Sequence, residues 1–338
     1  MASEIVANLP HKFDAALQSG DLLFFPSTVS KHPEFGVEFE IRVCPALQKK
    51  PNTLVEDASL VPSTKQDPFL PPYNPNLHIG DLQDEQTQDQ YVVLLNKYSV
   101  IPQHFIVASK EYQPQSSPLT PTDLVTIFQF LLAARRIGQN FIAFYNCGEN
   151  SGASQPHKHV QFLPLALDSI PPVEQLAKKT KLEVSERPFS LTRLPYANHV
   201  RRFPSDIAFY DRDELESTLT QAFLQLLDLV VSTVRHDPDY PPGKLSYNIW
   251  MTQDHLHLIP RKHEAYSMSH GGVVSVNSLG FAGMLLVESE EALQAVKSEG
   301  IGKILRGVGL ESVHEDLLHS TGADALDEVH SLPTISVL

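Results

Sequence analysis

Phe141-Ile-Ala-Phe-Tyr-Asn-Cys-Gly-Glu-Asn-Ser-Gly-Ala-Ser-Gln-Pro-His-Lys-His-Val-Gln-Phe-Leu163 is the stretch that decides how this chain folds. It opens with an apolar run (141–145), passes through a Gly/Ser/Asn-rich segment (146–155) and closes with a second β-rich run (159–163), so it reads as two strands joined by a turn-rich loop. On a strand, residues two apart share a face. His157, His159 and Gln161 therefore point one way, and Lys158 and Val160 the other. A neutral imidazole is a good nucleophile toward phosphorus and a competent leaving group, so it can split a phosphoryl or nucleotidyl transfer into two easier steps. Next to it, Gly148 and Gly152 allow close backbone approach, and Ser151 and Ser154 add hydroxyls, which together meet the needs of a phosphate cradle.

Working outward, the fold class expected is α+β, an antiparallel sheet flanked by helices. Ile5, Val6, Leu9, Phe13 and Leu17 recur at helical spacing over 4–17. The Pro-, Asn- and Asp-rich stretch 45–90 is expected to wander in loops, and 91–95 and 104–108 to pair as antiparallel strands. Thr120-Pro-Thr-Asp123 supplies a helix start and Gly138 a stop. A long helix is expected from Asp213 to about Arg235, ended by HDPDYPPG. Beyond it, SYNIWM, HLHLIP and FAGMLLV read as strands and EEALQAVK as a final helix. LNKYSVIPQHFIVASKEY and YNIWMTQDHLHLIPRKHEAY share the outline strand, turn, strand, basic residue, which points to two fused halves. The division expected is 1–165, 166–318 and a loosely attached tail, 319–338.

The whole chain of 338 residues bounds these expectations. Its 16 Gly and 26 Pro make about 12%, well under the ~25–30% of low-complexity chains. The longest apolar runs are far shorter than the ~20 residues a bilayer span needs, and the N-terminus lacks the basic start of a secretory signal. Cys44 and Cys147 are too few for a disulfide scaffold, so a cytoplasmic setting is expected, the nucleus included. A net charge of −14 disfavours nucleic acid and anionic membranes as partners, so an anionic ligand must be gathered locally.

The segment GENSGASQPHKHVQF resembles the active-site signature of fungal-type diadenosine tetraphosphate phosphorylases (ATP adenylyltransferases), which belong to the galactose-1-phosphate uridylyltransferase-like branch of the histidine triad superfamily with His-x-His-x-Gln. FEIRVCPALQKKP, DPFLPP, LLNKYSVIPQHFIVASKEY, YNIWMT and VNSLGFAGMLLV extend the resemblance over most of 35–290. It implies two histidine-triad-like halves, with the complete signature in the first and a degenerate second half completing the nucleotide site. His159 is implied as nucleophile, attacking the α-phosphorus, expelling ATP and leaving an adenylylated histidine that inorganic phosphate resolves to ADP. The carbonyl of His157 is implied to accept the proton on the far nitrogen of that ring, and Gln161 to donate to a non-bridging oxygen. Also implied as substrate-binding are Lys50, Asn96, Lys97, Asn146, Ser151, Gly152, Ala153 and Ser154, and from the second half Asn277, Ser278, Leu279 and Met284. A divalent cation, Mg²⁺ for preference, is expected with the substrate phosphates, and a monomer or weak homo-oligomer. The alternatives are a hexose-1-phosphate nucleotidylyltransferase and a non-catalytic nucleotide sensor.

Several other features have plainer readings. His255-Leu-His257 repeats the His-x-His spacing without a Gly/Ser loop or a glutamine at i+4, and reads as an ordinary half-buried strand. His157 and His159 lack a third ligand nearby in sequence, so no structural zinc is expected. Lys178, Lys179 and Lys181 read as a solvated basic loop, Cys147 as a small buried residue, and Trp250 as core.

Overall fold

Strands β8 (Asn140–Cys147) and β9 (His159–Leu165) pair antiparallel, with Ala143 opposite Phe162 and Phe144 opposite Gln161. The computed structural model describes residues 2–46, 67–166, 169–243, 245–269 and 271–312. Lys50 and the expected tail, 319–338, lie outside them. The remaining strands are β1 (Leu23–Phe24), β2 (Thr28–Glu34), β3 (Val37–Val43), β4 (His78–Gln83), β5 (Gln90–Leu95), β6 (Tyr98–Ser99), β7 (Phe105–Ser109), β10 (His199–Arg202), β11 (Tyr247–Met251), β12 (His255–Pro260), β13 (Ala265–Ser267), β14 (Val273–Ser275) and β15 (Met284–Val287). Helices are α1 (Ala2–Ser19), α2 (Pro121–Arg136), α3 (Pro172–Lys179), α4 (Arg212–Arg235), α5 (Ser278–Phe281), α6 (Glu290–Glu299) and α7 (Ile301–Val308). The α+β class stands.

One eight-stranded sheet carries the molecule, in the order β10-β12-β11-β8-β9-β7-β5-β4. Its seam is the antiparallel pair β8–β11, where Asn146 faces Asn248 across the ladder. On either side of that seam a His-x-His strand comes next, β9 in one direction and β12 in the other, so the repeat legible in the sequence is laid out about the seam.

Alternation sends the odd residues of β8 (Phe141, Ala143, Tyr145) and the even ones of β9 (Val160, Phe162) into a core with α1, α2 and α4. Thr120 and Asp123 close a full capping box on α2, and Asp211 and Glu214 do the same on α4. α4 is long and apolar enough to meet the length and composition of a bilayer span, against the expectation that no segment does. Its Leu215, Leu219, Phe223, Leu226 and Val230 are buried beneath the sheet, and Asp228 stands on the exposed side.

The opposite face of the sheet has two covers. Ile142, Phe144 and Trp250 pack with Phe39, Ile41, Leu285 and Ile304, under a small sheet of order β15-β3-β2 and α3, α6 and α7. Val92, Leu94, Ile106 and Ala108 lie under Phe69 and Tyr73. His159 and Gln161 sit on this face, opposite Ala108 and Ile106 of β7.

The structure departs from the sequence reading at several points. FAGMLLV is not one strand: Phe281 ends α5, Gly283 turns the chain at φ +94°, and β15 joins β3 in the small sheet. Within 45–90, His78–Gln83 forms an edge strand, and Lys178 and Lys179 are the last turn of α3. Elements β1, β2, β3, β6, β10, β13, β14, α3 and α7 are additional to those expected. Leu17 is 43% exposed, and Ala16 takes its place in the core. Strand β12 is fully buried, so its half-buried reading fails.

Candidate active site

The β8–β9 ladder ends at Phe144 and Gln161, and the strands then splay to make room for the loop 148–156. The side chain of Gln115 fills the fork. Its Oε1 accepts from the His159 N–H at 2.8 Å, and its Nε2 donates to the carbonyls of Asn146 at 2.8 Å and His159 at 3.3 Å. One buried amide thus continues the ladder where the backbone cannot, which fixes the main chain carrying His159.

His157 is completely buried, and both of its ring nitrogens face acceptors. Nδ1 lies 2.8 Å from Asp67 Oδ2, and Nε2 lies 2.7 Å from the Ser109 carbonyl. Asp67 also accepts the Phe69 N–H at 2.9 Å, and the Phe69 ring stands 5.8 Å from His157 and 4.9 Å from His159. The ring so held aims its own main-chain carbonyl at the second histidine: His159 Nδ1 lies 2.8 Å from the His157 oxygen. With the proton on Nδ1, the lone pair of His159 is on Nε2. Burial pushes His159 down to about 4, so the ring is neutral and nucleophilic near neutral pH.

The state of Gln161 follows from a chain of bonds that starts at the backbone. The Tyr98 N–H donates to Asn96 Oδ1 at 3.3 Å, which turns Asn96 Nδ2 toward His104 Nδ1 at 3.0 Å. Nδ1 must then accept, so Nε2 carries the proton and donates to Gln161 Oε1 at 3.1 Å. The amide nitrogen of Gln161 is left as the donor for a substrate. Burial pushes His104 down to about 4, in keeping with this single tautomer. Lys158, on the other face, is held by Asp123 at 2.5 Å beneath the start of α2.

The loop itself is set by two left-handed glycines. Gly148 has φ +90°, and a Cβ there would come 2.5 Å from Ser246 Oγ; Gly152 has φ +78°, and a Cβ there would come 2.6 Å from the Val276 carbonyl. Ser151 donates its hydroxyl to the Gly148 carbonyl at 2.6 Å. Beneath the loop, the wholly buried Arg261 donates through Nη1 to the carbonyls of Ser151 (3.1 Å) and Val276 (2.8 Å) and to Asn248 Oδ1 (2.5 Å). Asn248 in turn donates to Asn146 Oδ1, which also receives the Ser278 hydroxyl at 2.6 Å. Burial lowers the guanidinium to about 9, which still leaves it charged near neutral pH.

A cavity of about 720 Å³ opens beside this network, lined by Gly152, Asn277, Leu279 and Met284, with Glu288 and Glu291 also on its wall. Its Val, Leu and Met side chains offer an apolar slot of the size a nucleoside requires.

The structure brings His157, His159 and Gln161 together, and places Gly152, Asn277, Leu279 and Met284 on the cavity wall. Ser151, Asn146 and Ser278 are buried beneath the loop and bonded within it. Asn96 acts through His104, Lys97 is exposed with its Nζ 5.7 Å from the Tyr98 ring centre, Ala153 is half-buried, and Ser154 is exposed. Sequence reasoning missed Asp67, His104, Gln115, Asn248 and Arg261. DPFLPP and PQHF lay inside quoted motifs and could have drawn attention to Asp67 and His104, whereas nothing in KEYQPQSSP singles out Gln115.

Among the described residues, one group of His and carboxylate donors converges, Glu174 with His255 and His257. The Arg202 Nε–H can only donate, and it meets His255 Nε2 at 3.1 Å, so His255 carries its proton on Nδ1 and gives it to Glu174 at 2.9 Å. His257 lies 3.0 Å from the other carboxylate oxygen, and Thr252 donates at 2.7 Å. This trio is satisfied as a hydrogen-bonded anchor for α3, and a cation at His255 Nδ1 would have to displace that proton.

Comparison with known proteins agrees with this arrangement. Residues 2–179 match the Ap4A phosphorylase N-terminal domain, and residues 192–311 match the ATP adenylyltransferase C-terminal domain. From Saccharomyces cerevisiae, diadenosine 5',5'''-P1,P4-tetraphosphate phosphorylase 2 is 28% identical over 84% of this chain and 87% of its own. Protein APA1 of the same yeast is 27% identical over 91% of this chain and 94% of its own. The crystal structure of yeast Ap4A phosphorylase Apa2 in complex with Ap4A superposes with a TM-score of 0.73 at 25% identity, over 90% of this chain and 97% of that one. With the N-terminal domain of that family matched over more than half of its length, the chain belongs to the Ap4A phosphorylase family.

Proposed function

We propose that this chain is a nucleotidyltransferase that converts diadenosine tetraphosphate and inorganic phosphate to ATP and ADP. The observation that carries this reading is the His159 ring, neutral, with its Nδ1 proton donated to the His157 carbonyl at 2.8 Å, on the strand that follows the Gly/Ser loop whose Gly152 lines the nucleoside-sized cavity.

In the first step the lone pair on His159 Nε2 attacks the phosphorus next to one adenosine. The bond from that phosphorus to the bridging oxygen breaks, ATP leaves, and AMP remains on the ring. In the second step an oxygen of inorganic phosphate attacks the same phosphorus, the nitrogen–phosphorus bond breaks, and ADP departs with the ring restored. The His157 carbonyl steadies the ring proton as positive charge builds and drains. Gln161 donates its amide N–H to a non-bridging oxygen, a role that needs no titratable proton; the leaving polyphosphate needs little protonation.

A divalent cation, Mg²⁺ for preference, belongs to the proposal. Mg²⁺ keeps several waters and binds through phosphates with one or two carboxylates, which suits Glu288 and Glu291 on the cavity wall better than a closed protein cage. When bound it neutralises the leaving polyphosphate. The test is to incubate the protein with diadenosine tetraphosphate, with and without phosphate, and to resolve the products. ATP and ADP formed only with phosphate is the expected result; AMP released equally without phosphate would mark a hydrolase, and tight binding without turnover a sensor.

A further inference from the structure

Arg261 comes from the second half, yet it holds the loop of the first. Its Nη1 reaches the Ser151 carbonyl on the loop and the Val276 carbonyl just before Asn277, at 3.1 and 2.8 Å. Its Nε and Nη2 close on the carbonyls of Val308, His263 and Glu264 at 3.3, 2.8 and 3.1 Å. The side chain is completely buried. A buried guanidinium is costly, and here five main-chain carbonyls and Asn248 Oδ1 satisfy it, with the Phe281 ring centre 5.2 Å away and the Glu264 carboxylate acting on it through space.

We propose that Arg261 is the positioning residue that joins the two walls of the nucleotide site, setting the Ser151–Gly152 turn against the Val276–Asn277 strap. The inference rests on the assignment of that cavity to a nucleotide. Two facts make the join tight: the missing Cβ of Gly152 leaves the turn in contact with the Val276 carbonyl, and Asn248 donates to the same Ser151 oxygen at 2.9 Å, so the loop carbonyl is gripped twice. A planar fork is needed because one nitrogen must serve carbonyls on two segments while another serves the chain at 263–264. A single ammonium cannot span them.

The test measures AMP binding by calorimetry to the full chain, to Arg261→Lys and to Arg261→Met, with circular dichroism and thermal melts confirming the fold. Expected is an AMP affinity at least tenfold weaker in the lysine variant, which keeps the charge but loses the fork, and weaker still in the methionine variant. Wild-type affinity in a folded Arg261→Lys overturns the proposal, and that variant decides alone if Arg261→Met does not fold. Because AMP binding needs no turnover, failure of the clamp is distinct from failure of the phosphorolysis reading, which shows as wild-type protein that neither turns over the dinucleotide nor binds AMP.

Discussion

His104 Nε2 lies 3.1 Å from Gln161 Oε1, and this contact decides which end of the glutamine amide faces substrate. Replacing His104 by Ala frees the amide to rotate, so kcat should fall about tenfold, which corresponds to ~1.4 kcal/mol of transition-state stabilisation. His104→Asn, which can donate from a similar place, should recover part of it. Steady-state kinetics on both variants check this, and an unchanged kcat in His104→Ala would show that the bond is idle.

His159→Gly should leave AMP and dinucleotide binding within a few-fold of wild type while abolishing phosphate-dependent turnover, a loss of at least about 10³-fold. Mass spectrometry of acid-sensitive, rapidly quenched wild-type reactions should find one AMP on the peptide containing PHKH. Residual turnover near the wild-type rate would remove the covalent step from the mechanism.

Burial pushes His159 down to about 4, so the nucleophilic form is present throughout the neutral range. Adduct formation should hold steady from pH 8 to about 5 and fall only as the ring protonates near 4. Stability has the same sign. His104, His159 and His257 each sit near 4 in the fold against an ordinary 6.5, so the unfolded chain binds more protons between those values. Their contribution is fully present above pH 6.5 and is lost as pH falls toward 4, at up to ~1.4 kcal/mol per pH unit for each ring. A melting temperature that stays flat from pH 6.5 to 4.5 would contradict it.

Asp67 holds His157 Nδ1 at 2.8 Å and the Phe69 N–H at 2.9 Å, so Asp67→Ala loosens both the ring and the segment over it. Stability should drop by ~1–3 kcal/mol, with kcat falling more than KM rises because the carbonyl that steadies His159 loses its own support. Denaturant titration and initial rates separate the two effects.

Gly152→Ala places a methyl 2.6 Å from the Val276 carbonyl at φ +78°. Strain of ~1–3 kcal/mol is expected, relieved by moving the turn away from the strap, so nucleotide affinity should weaken by about tenfold or more. Calorimetry with AMP reads this directly.

Local patterns carried the scaffold far. The capping box at Thr120, two-residue alternation on β8 and β9, and the proline-rich stop after α4 are signals contained in a few neighbouring residues, and each formed where expected, whereas the capping box at Asp211 went unread. What stayed hidden depended on distance along the chain. β15 looks like any strand, but its partner β3 lies some 240 residues earlier, and pairing of that kind leaves no trace in periodicity. The site divides the same way. Two-residue spacing put the histidines on one face and the resemblance of the loop-and-strand motif singled them out, while Asp67, Gln115 and Arg261 matter only through partners 90, 44 and 110 residues away. Asn146 and Ser278, also far apart in sequence, are bonded to each other through their side chains.

The pairing of β8 with β11 has an architectural consequence. It sets two His-x-His pairs on either side of one seam, His157–His159 with Gln161 after the Gly/Ser loop, and His255–His257, whose rings both meet Glu174. The two pairs therefore divide the labour within one sheet: His159 stands ready on β9 next to the Gly/Ser loop, while β12 serves as a keel that ties α3 to the sheet through Glu174.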